Sequence, residues 1–205
     1  MDMAIILTVL SALAAYLIGS INSSILISKA VSGKDIRESG SGNAGATNML
    51  RTMGKKYAAL TLVIDILKGI AAVLLARGAI ALGAYDSAIY FAGLCVCLGH
   101  CFPVFFGFRG GKAVATGLGV LFMWNWLTAL IVLAVALIIM AATRYVSLGS
   151  VIAAVLFAVI EGISLRDDPA ALICVIAVAA LLVWKHRANI ARLIKGEENK
   201  LGSKK

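Results

Sequence analysis

A polytopic bundle of membrane-spanning α-helices is the fold class this sequence predicts, on three grounds. Of 205 residues, 61% are hydrophobic and only 14% charged, the mean hydropathy is +0.99, and the apolar residues gather in runs long enough to cross a bilayer as helices. A soluble domain of this length would carry more charge. The lack of period-two alternation argues against a membrane barrel. The whole chain, 1–205, reads as one all-α transmembrane domain.

The first run, Met3 to Ile27, is too long for the core of a cleavable signal and has no basic stretch before it, so it is expected to stay as the first span. Apolar segments at about 3–30, 57–76, 86–106, 113–124, 126–142, 147–163 and 170–185 give seven candidates. The fourth and fifth together make about 45 Å of helix, long for one crossing of a core of about 30 Å and short for two. Charge decides for two. With seven spans and the N-terminus outside, Lys29, Lys34, Arg37, Arg51, Lys55, Lys56, Arg109, Lys112, Arg144, Lys185, Arg187, Arg192 and the C-terminal lysines share one side, leaving Arg77 and Arg166 on the other. That is the positive-inside asymmetry, and it makes the C-terminus cytoplasmic. Trp124-Asn125-Trp126 becomes a hairpin at the outer interface, between arms that are short or tilted.

The net charge of +9 is then mostly cytoplasmic, suited to lipid head groups and anionic substrates. No basic domain stands apart from the membrane, so nucleic acid is not expected as a partner. Cys95, Cys97, Cys101 and Cys174 lie in or beside apolar runs and read as small buried hydrophobes. On a helix Cys95 and Cys97 point to opposite sides, so they and His100 make no single tetrahedral metal site without unwinding.

Three polar stretches fall on the inner side. The first, Ser39-Gly40-Ser41-Gly42-Asn43-Ala44-Gly45-Ala46-Thr47-Asn48 followed by Arg51, offers neutral donors on a tight backbone. Ser39, Ser41, Asn43, Thr47 and Asn48 can line an anion site, and Arg51 can add a bidentate contact. Such a loop can also be a plain flexible connector. The second runs from Gly99-His100 through Pro103 to Gly110-Gly111-Lys112. Amides freed by paired glycines beside a lysine form a phosphate cradle, although this stretch lacks the full nucleotide-binding pattern. The alternative is a turn with a snorkelling lysine. The third is Lys185-His186-Arg187-Ala188-Asn189, where His186 and Asn189 share a helical face while Lys185, Arg192 and Lys195 are expected to face head groups. Arg144 and Ser147 in the next inner turn can join the same site. Asp65 and Lys68, three apart inside a span, read as an ion pair or as a substrate contact through Lys68. Glu161, near the outer end of its span, needs no special role.

With these residues in view, the chain resembles the bacterial integral-membrane glycerol-3-phosphate acyltransferases that use acyl phosphate. The likeness runs through Gly19-Ser20, Ser39 to Asn48 with Arg51, Asp65-x-x-Lys68-Gly69, Gly99-His100-x-Phe102-Pro103 to Thr116, Tyr145 to Ser150, and His186-Arg187-x-Asn189-Ile190-x-Arg192-Leu193 with Gly196 and Glu197. Two positions depart from the common pattern. Ala113 stands where glycine is frequent, which fits if its φ is negative, and Asn22 stands where proline is usual, a change of helix geometry rather than chemistry.

The resemblance implies transfer of an acyl group from acyl phosphate to the C1 hydroxyl of glycerol-3-phosphate. The products are lysophosphatidic acid and phosphate, in the first acylation of phospholipid synthesis. It implies no cofactor or metal, membrane lipids as surroundings, and a bacterial inner-membrane site facing the cytoplasm. The His-x4-Asp pair of thioester-using acyltransferases is missing: Phe105 follows His100 by five residues and Ala191 follows His186 by five. Gly110, Gly111, Lys112, Ser39, Ser41 and Asn43 are assigned to the acyl phosphate. Arg51, Arg144, Ser147, His186 and Asn189 are assigned to glycerol-3-phosphate. Thr47, Asn48, Lys68 and His100 are further substrate contacts, and Lys112, His186 and Ser39 are the candidate catalytic groups. The proton acceptor is His186, His100 or a substrate phosphate; an acyl-enzyme on Ser39 lacks an adjacent base. The rivals are an organic-phosphate transporter, which would show repeats and midplane polar groups, and a non-catalytic scaffold, which has no need of converging loops.

Overall fold

The computed structural model describes residues 2–202, and the described residues form helices and loops with no strand. The predicted segments appear as α1 (Met3–Ser20) continued by α2 (Ser23–Ser32), α4 (Lys55–Ala81), α5 (Ala88–Cys101), α6 (Val114–Trp124), α7 (Trp126–Thr143), α8 (Val146–Ser164) and α9 (Pro169–Lys185). Short helices α3 (Ala46–Thr52) and α10 (Arg187–Ile194) carry inner-loop residues.

The first apolar run is broken at Ile21-Asn22. Asn22 accepts the Ile25 N–H at 3.1 Å and caps α2, so the residue in the usual proline position restarts the helix by hydrogen bonding. The other predicted hairpin is also capped: Asn125 accepts the Thr128 N–H at 3.2 Å and donates to Glu161 at 2.9 Å. Glu161 is buried and thus has a role that its sequence position did not reveal, tying the α6–α7 turn to the end of α8.

Contacts at the chain reversals show that the long helices run alternately between two ends of the bundle. At one end Tyr85 donates to Asp2 at 2.8 Å, Arg77 to the Met123 carbonyl at 2.8 Å and the Trp124 indole to the Ile89 carbonyl at 3.1 Å. At the other, Arg37 donates to the carbonyls of Phe106 and Arg109, both at 2.8 Å, and Lys185 to that of Cys101 at 3.3 Å. All three polar stretches therefore sit at one end. Met3–Ser32, Lys55–Ala81, Ala88–Phe106, Trp126–Thr143 and Val146–Ser164 are each long and apolar enough to cross a membrane, and α9 with α10, bent by 54°, makes a sixth candidate. The 11 residues of α6 reach only about 16 Å, roughly half the hydrocarbon thickness.

Two close helix pairs anchor the bundle through small residues. A Cβ on Gly19 of α1 would strike the Val96 backbone of α5, and one on Gly99 of α5 would strike the Tyr16 carbonyl. Gly69 of α4 and Gly119 of α6 meet the opposite backbones of Thr116 and Ile66 in the same reciprocal way. Within lipid, where burial gives little drive, this close backbone approach supplies the packing. Beyond these pairs, α5, α6, α7, α8 and α9 pack mainly in succession, α5 on α6, α6 on α7, α7 on α8, α8 on α9 and α9 back on α5. These five helices form a ring that α4 backs against α5 and α6, and they leave room at its centre.

Candidate active site

That space is a cavity of about 670 Å³ with two chemically distinct halves. Its mouth is lined by Ser41, Asn43, Thr47, Asn48, Arg51, Asp65, His100, Lys112, Ser147, Lys185, His186, Asn189, Arg192 and Glu198, and its depth by Leu121, Val132, Ala136, Ala154 and Phe157, ending near Trp124. The polar end is the end that carries the loops.

The first loop is fixed by Asn48. Its amide donates to the carbonyls of Ile36 (3.1 Å) and Ser39 (2.9 Å), and its oxygen accepts the Ser41 N–H at 2.9 Å. Asn48 is therefore spent on shaping the loop, while Asn43, Thr47 and Arg51 present their groups to the mouth. A 3-10 turn at Ile36–Glu38 brings Arg37 beside Asp35, at 2.8 Å. The hydrogen bonds from Arg37 are the main cause of the Asp35 carboxyl being lowered to about 2. By its two carbonyl contacts the same guanidinium clamps this loop to the α5–α6 loop.

Lys112 lines the same end of the cavity. Its ammonium donates to Asn189. Burial lowers its pKa to about 8, opposed by Glu198 and assisted by Arg192, Arg51 and Lys185. Asn189 in turn donates to Glu198 at 2.6 Å, and Glu198 also accepts from Ser147 at 2.8 Å and Arg192 at 2.7 Å. One buried carboxylate thus gathers α8, α10 and, through Asn189, the Lys112 loop. His186 sits at the α9–α10 bend, its Nδ1 2.7 Å from the Leu182 carbonyl. A carbonyl only accepts, so Nδ1 carries the hydrogen and Nε2 is left as an acceptor. Burial and then Lys112 lower its pKa to about 4, which keeps the imidazole neutral.

Behind the mouth, Asp65 and Lys68 form the predicted ion pair at 2.8 Å, with side chains 2% and 7% exposed. Ser23 also donates to Asp65 at 2.9 Å, and Lys68 donates to the Ile21 carbonyl at 3.1 Å, the acceptor exposed by the helix break. Lys68 does not line the cavity. His100 does: its Nδ1 lies 3.2 Å from the Thr116 hydroxyl and 3.7 Å from Asp65.

Several sequence expectations change in detail. The Gly110 and Gly111 amides are not free for a phosphate; they bond the carbonyls of Cys101 (3.2 Å) and His100 (3.0 Å). These glycines matter because a Cβ on Gly110 would meet the His100 carbonyl and one on Gly111 the His100 ring. Ala113 has φ 59°, not the negative value its methyl favours, so it sits in the left-handed region at a cost of about 1 kcal/mol. Arg144 turns away to the Leu201 carbonyl (2.7 Å) and does not line the cavity. Ser39 also stays outside the lining and contributes its carbonyl to Asn48. Arg192 and Lys185 reach the cavity rather than lipid head groups alone. Glu198 is the buried lining residue that the sequence does not reveal. It lies nine residues beyond Asn189 and past the end of α10, where no helical period connects the two. Cys97, Cys101 and Cys174 are buried, as their apolar setting predicts, whereas Cys95 is half-buried against that expectation; all four are free.

Comparison with known proteins identifies the family. The sequence profile of the glycerol-3-phosphate acyltransferase family matches residues 9–196. The chain is 43% identical to a glycerol-3-phosphate acyltransferase of Clostridioides difficile, over 96% of this chain and 97% of that protein. It is 44% identical to one of Paraburkholderia phymatum, over 95% and 92%. It is also similar to the crystal structure of PlsY, an integral membrane glycerol 3-phosphate acyltransferase, in its glycerol 3-phosphate form: TM-score 0.87 and 40% identity, covering 95% of this chain and 96% of that one. The lysophosphatidic acid form of PlsY matches with a TM-score of 0.80.

Proposed function

This chain belongs to the glycerol-3-phosphate acyltransferase family, and we propose that it transfers a fatty acyl group from acyl phosphate to the C1 hydroxyl of glycerol-3-phosphate, releasing lysophosphatidic acid and phosphate. The observation that carries this reading is one cavity with a cationic, donor-rich mouth continuous with an apolar interior. Such a space suits an amphiphile with an anionic head and a fatty tail, and the mouth holds enough donors to take a second anion. As one domain, 1–205, with the short α6 counted as a seventh crossing, the chain is read with its N-terminus outside and this mouth facing the cytoplasm of the bacterial inner membrane, on the charge asymmetry of its loops.

Acyl phosphate is a mixed anhydride with a good leaving group, so catalysis rests on positioning and charge neutralisation. Lys112 and Arg51 neutralise the two phosphates, with Ser41, Asn43 and Thr47 as neutral donors. Ser147, His186 and Asn189 orient glycerol-3-phosphate. The C1 oxygen attacks the acyl carbon, the bond from that carbon to the phosphate oxygen breaks, and the hydroxyl proton passes to a phosphate oxygen. A substrate base is favoured because His186, with its pKa lowered to about 4, is a weak proton acceptor, and Glu198 is engaged by three donors. His186 Nε2, left as an acceptor, then holds glycerol-3-phosphate by accepting from its C2 hydroxyl, leaving the C1 proton to the phosphate. Ser39 as an acyl-enzyme nucleophile has no such support.

The test is direct. Purified protein given palmitoyl phosphate and labelled glycerol-3-phosphate forms labelled lysophosphatidic acid and stoichiometric phosphate, while palmitoyl-CoA gives none. Product from the CoA ester alone would overturn the donor assignment.

A further inference from the structure

We propose that Trp124 and Phe157 form the floor of the apolar half of the cavity and set the length of the acyl chain that this protein accepts. The inference rests on the acyltransferase reading and adds to it a length limit.

The apolar lining includes these two rings, which stack with centroids 6.2 Å apart. Trp124 is held where it is. Its indole N–H donates to the Ile89 carbonyl at 3.1 Å, Tyr90 packs against it at 5.1 Å, and Gly93 of α5 gives it a close seat, since a Cβ there would strike the indole. A bulky residue fixed on three sides by another helix does not swing aside for a longer ligand. By contrast, Ala136, Ala153 and Ala154 line the passage above it, small side chains on α7 and α8 that leave width for a chain.

The depth gives a length. The 11 residues of α6 carry the wall from Val114 to Trp124, about 15 Å at about 1.5 Å per step. A zigzag chain with bonds of about 1.5 Å and angles of about 111° advances about 1.25 Å per carbon, so about twelve carbons lie beside α6. Two or three more join them to a phosphate held at Lys112. Chains of about fourteen or fifteen carbons therefore fill the passage, and markedly longer ones meet the floor.

The experiment is a rate profile with acyl phosphates of twelve to twenty carbons at fixed glycerol-3-phosphate, in purified wild type and in the Trp124→Ala and Ala154→Leu variants. Wild type is expected to fall about fivefold or more between sixteen and twenty carbons. Trp124→Ala is expected to recover the twenty-carbon substrate relative to sixteen by a similar factor, and Ala154→Leu to shift preference toward twelve. Ala154→Leu leaves the Trp124 anchorage in place and so tests the floor even if the tryptophan variant folds poorly. A flat wild-type profile, or an Ala154→Leu profile that superposes on wild type, overturns the floor: the tail would then leave sideways into lipid. Absence of lysophosphatidic acid with every chain length would instead overturn the acyltransferase reading.

Discussion

Replacing Glu198 by Gln tests how the mouth of the cavity is held together. The carboxylate accepts from Ser147 and Asn189 on one oxygen and from Arg192 on the other. Glutamine can keep the first oxygen only by turning its NH2 toward the Arg192 guanidinium, donor against donor. The variant therefore loses one charge-assisted hydrogen bond, about 1.5–3 kcal/mol, and Asn189 loosens where it meets Lys112. If that cost falls on the productive arrangement of the two substrates, kcat/KM drops about 10- to 150-fold, at about 1.4 kcal/mol per tenfold. A second effect has a definite sign. The negative charge of Glu198 raises the Lys112 pKa against the burial that lowers it to about 8. Without that charge the ammonium deprotonates at lower pH, so the alkaline limb of kcat/KM moves toward acid. Initial rates of lysophosphatidic acid formation across about pH 6 to 9.5, in wild type and E198Q, read both. A variant within twofold of wild type, with its alkaline limb unmoved, would mean that Glu198 does not hold the mouth together.

Three other outcomes follow from the same geometry. Asp65→Ala strands the Lys68 ammonium in a buried site and is expected to cost about 3–5 kcal/mol, seen as a much lower unfolding temperature in detergent that Lys68→Met added to it partly restores; equal stability of Asp65→Ala and wild type would contradict a buried ion pair. Ala113→Gly relieves left-handed strain of about 1 kcal/mol and loses a buried methyl of about 0.8 kcal/mol, so its unfolding temperature stays close to wild type; a large change in either direction would show one effect misjudged. His186→Ala is expected to raise KM for glycerol-3-phosphate and lower kcat without removing a limb of the kcat–pH profile between about pH 5 and 8, because a group with pKa about 4 titrates below that window; loss of a limb with binding kept would make the imidazole the base.

The helices and their order were legible because each rests on a continuous apolar run, and the α6–α7 hairpin because Trp124-Asn125-Trp126 interrupts one. Asp65 and Lys68 were legible as a pair because helical spacing alone brings them together. What escaped depends on contacts between distant parts of the chain. Glu198 meets Ser147 across 51 residues, and no local pattern marks it. The glycine pair suggested free amides, yet whether an amide is free depends on what packs beside it, here the carbonyls of His100 and Cys101. Arg144 looked like a cavity residue by its position in an inner turn, but at φ 63° it bonds the C-terminal segment instead. Apolar runs and loop charge locate the site at one end of the bundle; tertiary packing chooses which groups face it.

The proposed reaction requires loops far apart in the chain to act on both substrates as one pocket. A double-mutant cycle on Lys112→Met and Asn189→Leu, 77 residues apart and in direct hydrogen-bond contact, measures it in kcat/KM for lysophosphatidic acid formation. The expected losses fall short of additive by about 1 kcal/mol or more, since either change alone breaks the same junction. Strictly additive losses would mean that the two residues work apart, and no single shared pocket would remain.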